Sequence, residues 1–222
     1  MWNLLNIIVI LYICCLINII SASKSTYVTC GSVLKLLNED GDVRLHSHDV
    51  KYGTGSGQQS VTGTKLQEDS NSHWLIKAAT GKTCSRGEPI ECGSIIRLQH
   101  MATKKNLHSH FFQSPLSGNQ EISCYGDSEG IGDTGDHWMV VCSGDKWKRT
   151  GSVKLRHVDT QSYLATSGRT FGQPISGQAE IVGVSNPHGG YVDWKAAEGI
   201  FIHPTDFDSG YRSADAAMHT EL

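Results

Sequence analysis

The sequence predicts an all-β fold, a single barrel with threefold pseudo-symmetry capped by hairpins, which is the architecture of a β-trefoil. Three observations lead there. Four landmarks recur in one order three times along the chain. The segments between them are short, β-prone and bounded by turn residues, and no window carries the 3.6-residue apolar stripe of an amphipathic helix. Composition agrees: of 222 residues, 24 are Gly and only 5 Pro, the profile of a turn-rich folded chain rather than a disordered one.

In chain order, the first element is a targeting segment. Leu4 to Ile20 is almost wholly apolar, the first charged residue is Lys24, and Ser21-Ala22-Ser23 offers the small residues of a cleavage site. Residues 1–22 therefore read as a signal peptide. The alternative is an uncleaved anchor, because the run approaches the length that crosses a bilayer, roughly 17–25 residues. No later run could span a membrane.

The barrel is expected over 23–204, in repeats of about 27–86, 87–146 and 147–204. Cys30-Gly31-Ser32-Val33-Leu34-Lys35-Leu36 returns as Cys92-Gly93-Ser94-Ile95-Ile96-Arg97-Leu98 and as Gly151-Ser152-Val153-Lys154-Leu155. Leu45-His46-Ser47-His48 returns as Leu107-His108-Ser109-His110, and more loosely as Leu164-Ala165-Thr166-Ser167. Third come Ser56-Gly57-Gln58, Ser117-Gly118-Asn119-Gln120 and Ser176-Gly177-Gln178, each before a β-prone run. The fourth landmark is a tryptophan after a polar residue: His73-Trp74, His137-Trp138 and Asp193-Trp194. One such unit leaves its apolar face uncovered, whereas three together close a core. Nothing Pro- or Ser-rich separates them, which argues against three independent domains.

After Pro204, residues 205–222 form a polar tail ending His219-Thr220-Glu221-Leu222, similar to the receptor-read retention signals KDEL and HDEL, with Thr220 in place of an acidic residue. With the leader at the other end, this tetrapeptide predicts a soluble resident of the endoplasmic reticulum lumen, held by a KDEL-type receptor and partly secreted if retention leaks.

Leu-His-Ser-His, Ser-Gly-Gln-Gln-Ser-Val-Thr-Gly and Trp, closing with Trp194-Lys195-Ala196-Ala197-Glu198-Gly199-Ile200-Phe201-Ile202, closely resemble the stromal cell-derived factor 2 family. That family consists of three MIR repeats, the module it shares with protein O-mannosyltransferases and lumenal calcium-release channels. The resemblance covers essentially the whole chain after the leader. It implies partners: a lumenal J-domain co-chaperone, through it a BiP-type chaperone, and misfolded secretory clients.

Cys14 and Cys15 fall in the leader, leaving Cys30, Cys84, Cys92, Cys124 and Cys142. In a trefoil the first and last strands of a repeat are neighbours, so Cys30–Cys84 and Cys92–Cys142 are the natural disulfides, as an oxidising lumen permits. Repeat three has neither cysteine. Cys124 is left over and reads as a small buried hydrophobe rather than a redox thiol. No Cys-x-x-Cys exists to support disulfide exchange.

Candidate chemistry is thin. His46-x-His48 and His108-x-His110 could each turn two imidazoles to one strand face, but two ligands do not complete a zinc site, and repeat three has Ala165 and Ser167 there. Polar packing is the better reading, with no metal expected. Gly53-Thr54-Gly55-Ser56-Gly57 lacks the Lys-Ser/Thr of a phosphate loop, and Asp206-Phe207-Asp208 lies in the tail. Net charge is −3 with both signs dispersed, which leaves no electrostatic case for nucleic acid.

With no nucleophile, base and orienter assembled, no catalytic residue or cofactor is expected, and the chain reads as a non-enzymatic quality-control factor. The alternative is a carbohydrate-binding module for O-mannosylated glycoproteins. Its ligand surface would draw on Tyr52 and Phe112, with His48 and His110 beside them.

Overall fold

A computed structural model describes residues 26–188 and 191–203. The proposed leader, the tail with His219–Leu222 and Asp206-Phe207-Asp208 lie outside them. Twelve strands fall four to a repeat: β1 (Val33–Asn38), β2 (Val43–Lys51), β3 (Gln59–Thr64) and β4 (Trp74–Ala78); β5 (Ile95–His100), β6 (Asn106–Gln113), β7 (Gln120–Tyr125) and β8 (Trp138–Val141); β9 (Ser152–His157), β10 (Tyr163–Thr170), β11 (Ala179–Val184) and β12 (Trp194–Ile200).

The first and last strands of the repeats pair β1–β4, β4–β5, β5–β8, β8–β9, β9–β12 and β12–β1, a ring of six with no free edge. The middle strands form three hairpins, β2–β3, β6–β7 and β10–β11, whose second strands pair around the axis as β3–β7, β7–β11 and β11–β3. This is the trefoil the repeats predict.

Alternation along the ring strands places Leu34, Leu36, Ile76, Ile96, Leu98, Val140, Val153 and Leu155 in one core. The tryptophans join the ring to its cap. Trp74, Trp138 and Trp194 are each fully buried, and their indole N–H groups donate to the carbonyls of Leu45, Leu107 and Leu164 at 2.8, 2.9 and 2.8 Å. A buried indole needs such an acceptor, so the Leu of one landmark and the Trp of another form one device made three times. At the far end a backbone cycle ties the repeats together: Val28 N–H to Trp147 C=O, Trp147 N–H to Ile90 C=O, and Ile90 N–H to Val28 C=O.

Disulfides join Cys30 to Cys84 and Cys92 to Cys142, bracing the first two repeats from start to end. The third has Arg149 over the Phe201 ring, 3.6 Å from its centroid. Cys124 is buried, its thiol 3.4 Å from the Ser47 hydroxyl, and burial pushes its pKa up to about 12, the state of an inert packed thiol.

Candidate functional site

The polar chemistry of the molecule gathers where one repeat meets the next. On β2, His46 Nδ1 lies 2.7 Å from Asp69 and its Nε2 lies 2.7 Å from His48 Nδ1. On β6 the arrangement returns: His108 Nδ1 is 3.0 Å from Asp136, and its Nε2 is 3.2 Å from His110 Nδ1. A buried histidine next to a carboxylate donates to it through Nδ1, which leaves Nε2 as an acceptor for the second ring. Each set is therefore a directed Asp–His–His chain, and its last Nε2, on His48 and on His110, makes no hydrogen bond, that of His110 lying 3.8 Å from the Glu121 carboxylate.

Burial first, then the neighbouring histidine, lowers the pKa of both His48 and His110, so these rings stay neutral near pH 7. Burial alone would raise Asp69, but hydrogen bonds from Ser72 and His46 hold it below the usual carboxylate range.

A second set ends β1, β5 and β9. His100 Nε2 donates to the carbonyl of Asn71 at 2.9 Å, with its ring 5.1 Å from that of Trp74; His157 Nε2 donates to the carbonyl of Gly135 at 2.8 Å, with its ring 4.9 Å from Trp138. Repeat one has Asn38 at this station, donating to the carbonyls of Tyr191 and Asp193. Each side chain thus fastens the turn that delivers the preceding tryptophan. The Nδ1 atoms of His100 and His157 meet the hydroxyls of Thr103 and Thr160, which also accept from Gln59 and Gln120 of the previous repeat. A histidine against a hydroxyl has the parts of a nucleophile and base, but both rings are fully buried and no substrate could reach them.

Two carboxylates bind hairpin loops across repeats. Glu121 accepts from the backbone and hydroxyl of Ser56, and Glu180 accepts from the amides of Leu116 and Ser117 at 2.8 and 3.2 Å. Burial raises the pKa of Glu121 despite the Ser56 bonds; at Glu180 burial is outweighed by hydrogen bonds from Ser167, Leu116, Ser117 and Ser114, and the pKa is lowered.

The proposed ligand surface is corrected in one respect. Tyr52 is buried, and its hydroxyl donates to the carbonyls of Val61 and Ile122, 2.9 and 3.0 Å away, so it ties two repeats together and offers no platform. Its place before a glycine-rich turn suggested an exposed ring, while its hydroxyl needed the shielded carbonyls behind. Phe112 is half exposed, with its ring edge-on to His110 at 4.6 Å.

Phe111, not singled out in the sequence, is the more prominent ring at 83% exposed. With His108, His110, Asp133, Thr134, Asp159 and Thr160 it lines an open pocket of about 270 Å³ between repeats two and three. Among the described residues one group has ligand types suited to a cation, His108, Asp133 and Asp136, whose donor atoms lie within 4.8 Å of one another. Those atoms already bond each other and their neighbours: Asp136 accepts from His108 and Asn106, and Asp133 from the amide of Gly135.

A MIR domain family model matches residues 35–141. Stromal cell-derived factor 2 from Mus musculus is 54% identical over 187 residues, covering 84% of this chain and 88% of that protein. The crystal structure of the SDF2-like protein from Arabidopsis thaliana superposes with a TM-score of 0.77 at 46% identity, over 80% of this chain and 98% of that one. The protein O-mannosyltransferase Pmt1–Pmt2 complex of S. cerevisiae contains a similar unit, at 25% identity and a TM-score of 0.69, covering 90% of this chain but 31% of that one.

Proposed function

Because the chain belongs to the stromal cell-derived factor 2 family, we propose that it is a non-enzymatic accessory factor of protein quality control in the endoplasmic reticulum lumen. In this reading it acts with a J-domain co-chaperone and a BiP-type chaperone on misfolded secretory clients. One observation carries the binding role: the histidines and carboxylates that could do chemistry are engaged with one another within a repeat or fasten a neighbouring repeat's loop, while Phe111 and Phe112 stand at the surface. Large exposed aromatic side chains mark recognition rather than catalysis. The two disulfides suit an oxidising compartment.

Cross-linking inside the lumen of intact cells tests it. Recovery of a J-domain protein and BiP, unaffected by competing mannoside, is expected. Absence of both removes the reading. Truncation of His219–Leu222 separates address from partnership: secretion of the shortened chain assigns retention to the tetrapeptide, and unchanged retention assigns it to a partner.

A second reading, glycan recognition, is favoured by the Phe111 pocket, where an aromatic ring meets the carboxylates of Asp133 and Asp159 and the hydroxyls of Thr134 and Thr160. Binding to O-mannosyl glycans on an array, abolished by Phe111→Ala and untouched by Tyr52→Phe, would support it.

A further inference from the structure

A second cleft is unrelated to the histidine chains. It has a volume of about 540 Å³ and opens beside the Cys30–Cys84 disulfide, where β4 meets β5 and the loop after β4 folds back. Four cationic side chains line it: Lys77 from β4, Arg97 from β5, and Lys82 and Arg86 from the loop.

Lys77 and Arg97 are directly opposite in the antiparallel register, where side chains share a face and like charges destabilise the pair. Burial, then Arg97, lowers the pKa of Lys77, and the weaker influence of the Asp136 carboxylate does not offset them. Arg97 Nε donates to the carbonyl of Ala78, and among the described residues no carboxylate forms an ion pair with any of the four. The nearby Glu88 carboxylate accepts from the amide of Ser85, inside its own turn.

The threefold symmetry supplies an internal control. The cation of Arg97 has counterparts in Lys154 and Lys35. Lys154 meets Asp193 at 2.7 Å, and Lys35 donates to the carbonyl of Gln67. Opposite Lys154 stands Val141, not a second cation. The fold is thus built twice without two cations face to face, so the barrel itself does not require the pair at the β4–β5 junction.

The loop cations are positioned rather than loose. The disulfide anchors the loop at Cys84, and Gly31, at a left-handed φ of +79°, leaves room for Arg86, whose Cγ lies 3.2 Å from where a Cβ would stand.

We propose that this cleft binds an acidic segment of a partner polypeptide, laid along β4 with its carboxylates on Lys77, Lys82, Arg86 and Arg97. The cleft is larger than a single small anion needs, and Leu75, Ile76 and Ala78 line it for the apolar parts of a chain. No aromatic residue lines it to stack a nucleobase. The assignment holds whether or not the partner is a co-chaperone.

Fluorescence anisotropy with a labelled octa-glutamate peptide and the purified full chain tests the proposal. Binding is expected at about 20 mM salt and should fall steeply by about 300 mM, where the Debye length is well below 10 Å. Lys82→Ala with Arg86→Ala, both exposed and remote from the core, should weaken it about tenfold or more, as loss of roughly 1.4 kcal/mol would. Lys195→Ala, a cation outside the cleft, should leave it unchanged.

Equal binding by the loop variant overturns the proposal, as does no binding by any form. It is also overturned if binding appears only after Asp206, Asp208, Asp215 and Glu221 are changed to Asn or Gln, which would show that the chain's own acidic tail fills the cleft. Loop-dependent capture of phosphatidylserine vesicles in place of the peptide would assign the cleft to a membrane surface instead.

Discussion

The three junctions between repeats occupy equivalent places in the ring but are built from two chemistries. Where repeat one meets two, and two meets three, the contact is a polar lattice: Gln59–Thr103–His100–Asn71 at the first, Gln120–Thr160–His157–Gly135 at the second, with Asp–His–His chains alongside. Where repeat three meets one, Ala179 replaces the glutamine, Asn38 the histidine, and Ala165 the first histidine of the pair. Val192 stands where the others have Ser72 and Asp136, and Ala165, Val182 and Val192 form a small apolar cluster.

An ion pair completes that closing junction, with Arg44 donating through Nε and Nη2 to the Glu198 carboxylate at 3.0 and 2.6 Å. The lesson is substitution in sets. A buried histidine and its carboxylate are exchanged together for alanine and valine, because either one alone would leave a buried polar group unmatched.

The disulfides give the largest test. If repeats one and two depend on a brace that repeat three replaces with Arg149 over Phe201, then Cys92→Ser with Cys142→Ser should lower unfolding free energy by on the order of 4 kcal/mol, from the loop closed by a bridge of separation 50. Urea denaturation measures it. A loss under about 1 kcal/mol would show all three repeats held by their neighbours alone.

Next comes the exchange of sets. Asp136→Val strands His108 and Asn106 in the interior and should cost about 3 kcal/mol. Adding His108→Ala recreates the Ala165–Val192 combination and should recover at least about 1 kcal/mol of that loss. Additive losses in the double-mutant cycle would mean that the apolar junction is not a self-contained alternative.

The pH dependence separates the junctions further. Burial lowers His100 to about 4 and also lowers His157, so the unfolded chain binds more protons than the folded one between pH 6.5 and about 4. Their contribution is fully present above pH 6.5 and is lost on acidification through that window, by roughly 3 kcal/mol for His100. His100→Asn installs the non-titrating residue of the closing junction. Its stability should fall less steeply over that range, whatever its level at pH 7, as thermal melts across pH would show.

The smallest effect belongs to the closing ion pair. Glu198→Gln should cost about 1 kcal/mol or less, since a third of the Glu198 side chain is exposed, and the cost should shrink in high salt.

Much of this was legible in the sequence. The repeated Leu-His-Ser-His and Trp landmarks predict the trefoil, because each side of the Trp–Leu link recurs at fixed order. The cysteine positions predict the disulfides for the same reason. Buried polar partners were harder to see: Asp136 lies 28 residues from His108, and Glu121 lies 65 from Ser56, with no periodicity to join them. Asn38, His100 and His157 share a station but not a residue type, so repetition did not reveal them. The basic cleft escaped for another reason, since Lys77 and Arg97 become neighbours only when β4 pairs with β5.

The ring also closes by pairing β1 with β12, Val33 opposite Ile200. A polypeptide emerging N-terminus first therefore exposes β1 with an unpaired edge until nearly the last residue of the barrel has been delivered. Of the six ring pairings only β12–β1 and β9–β12 wait for β12; the other four and both disulfides can form earlier. Synthesis passes through a stage in which an almost complete molecule still presents one open strand, and only the arrival of β12 removes it.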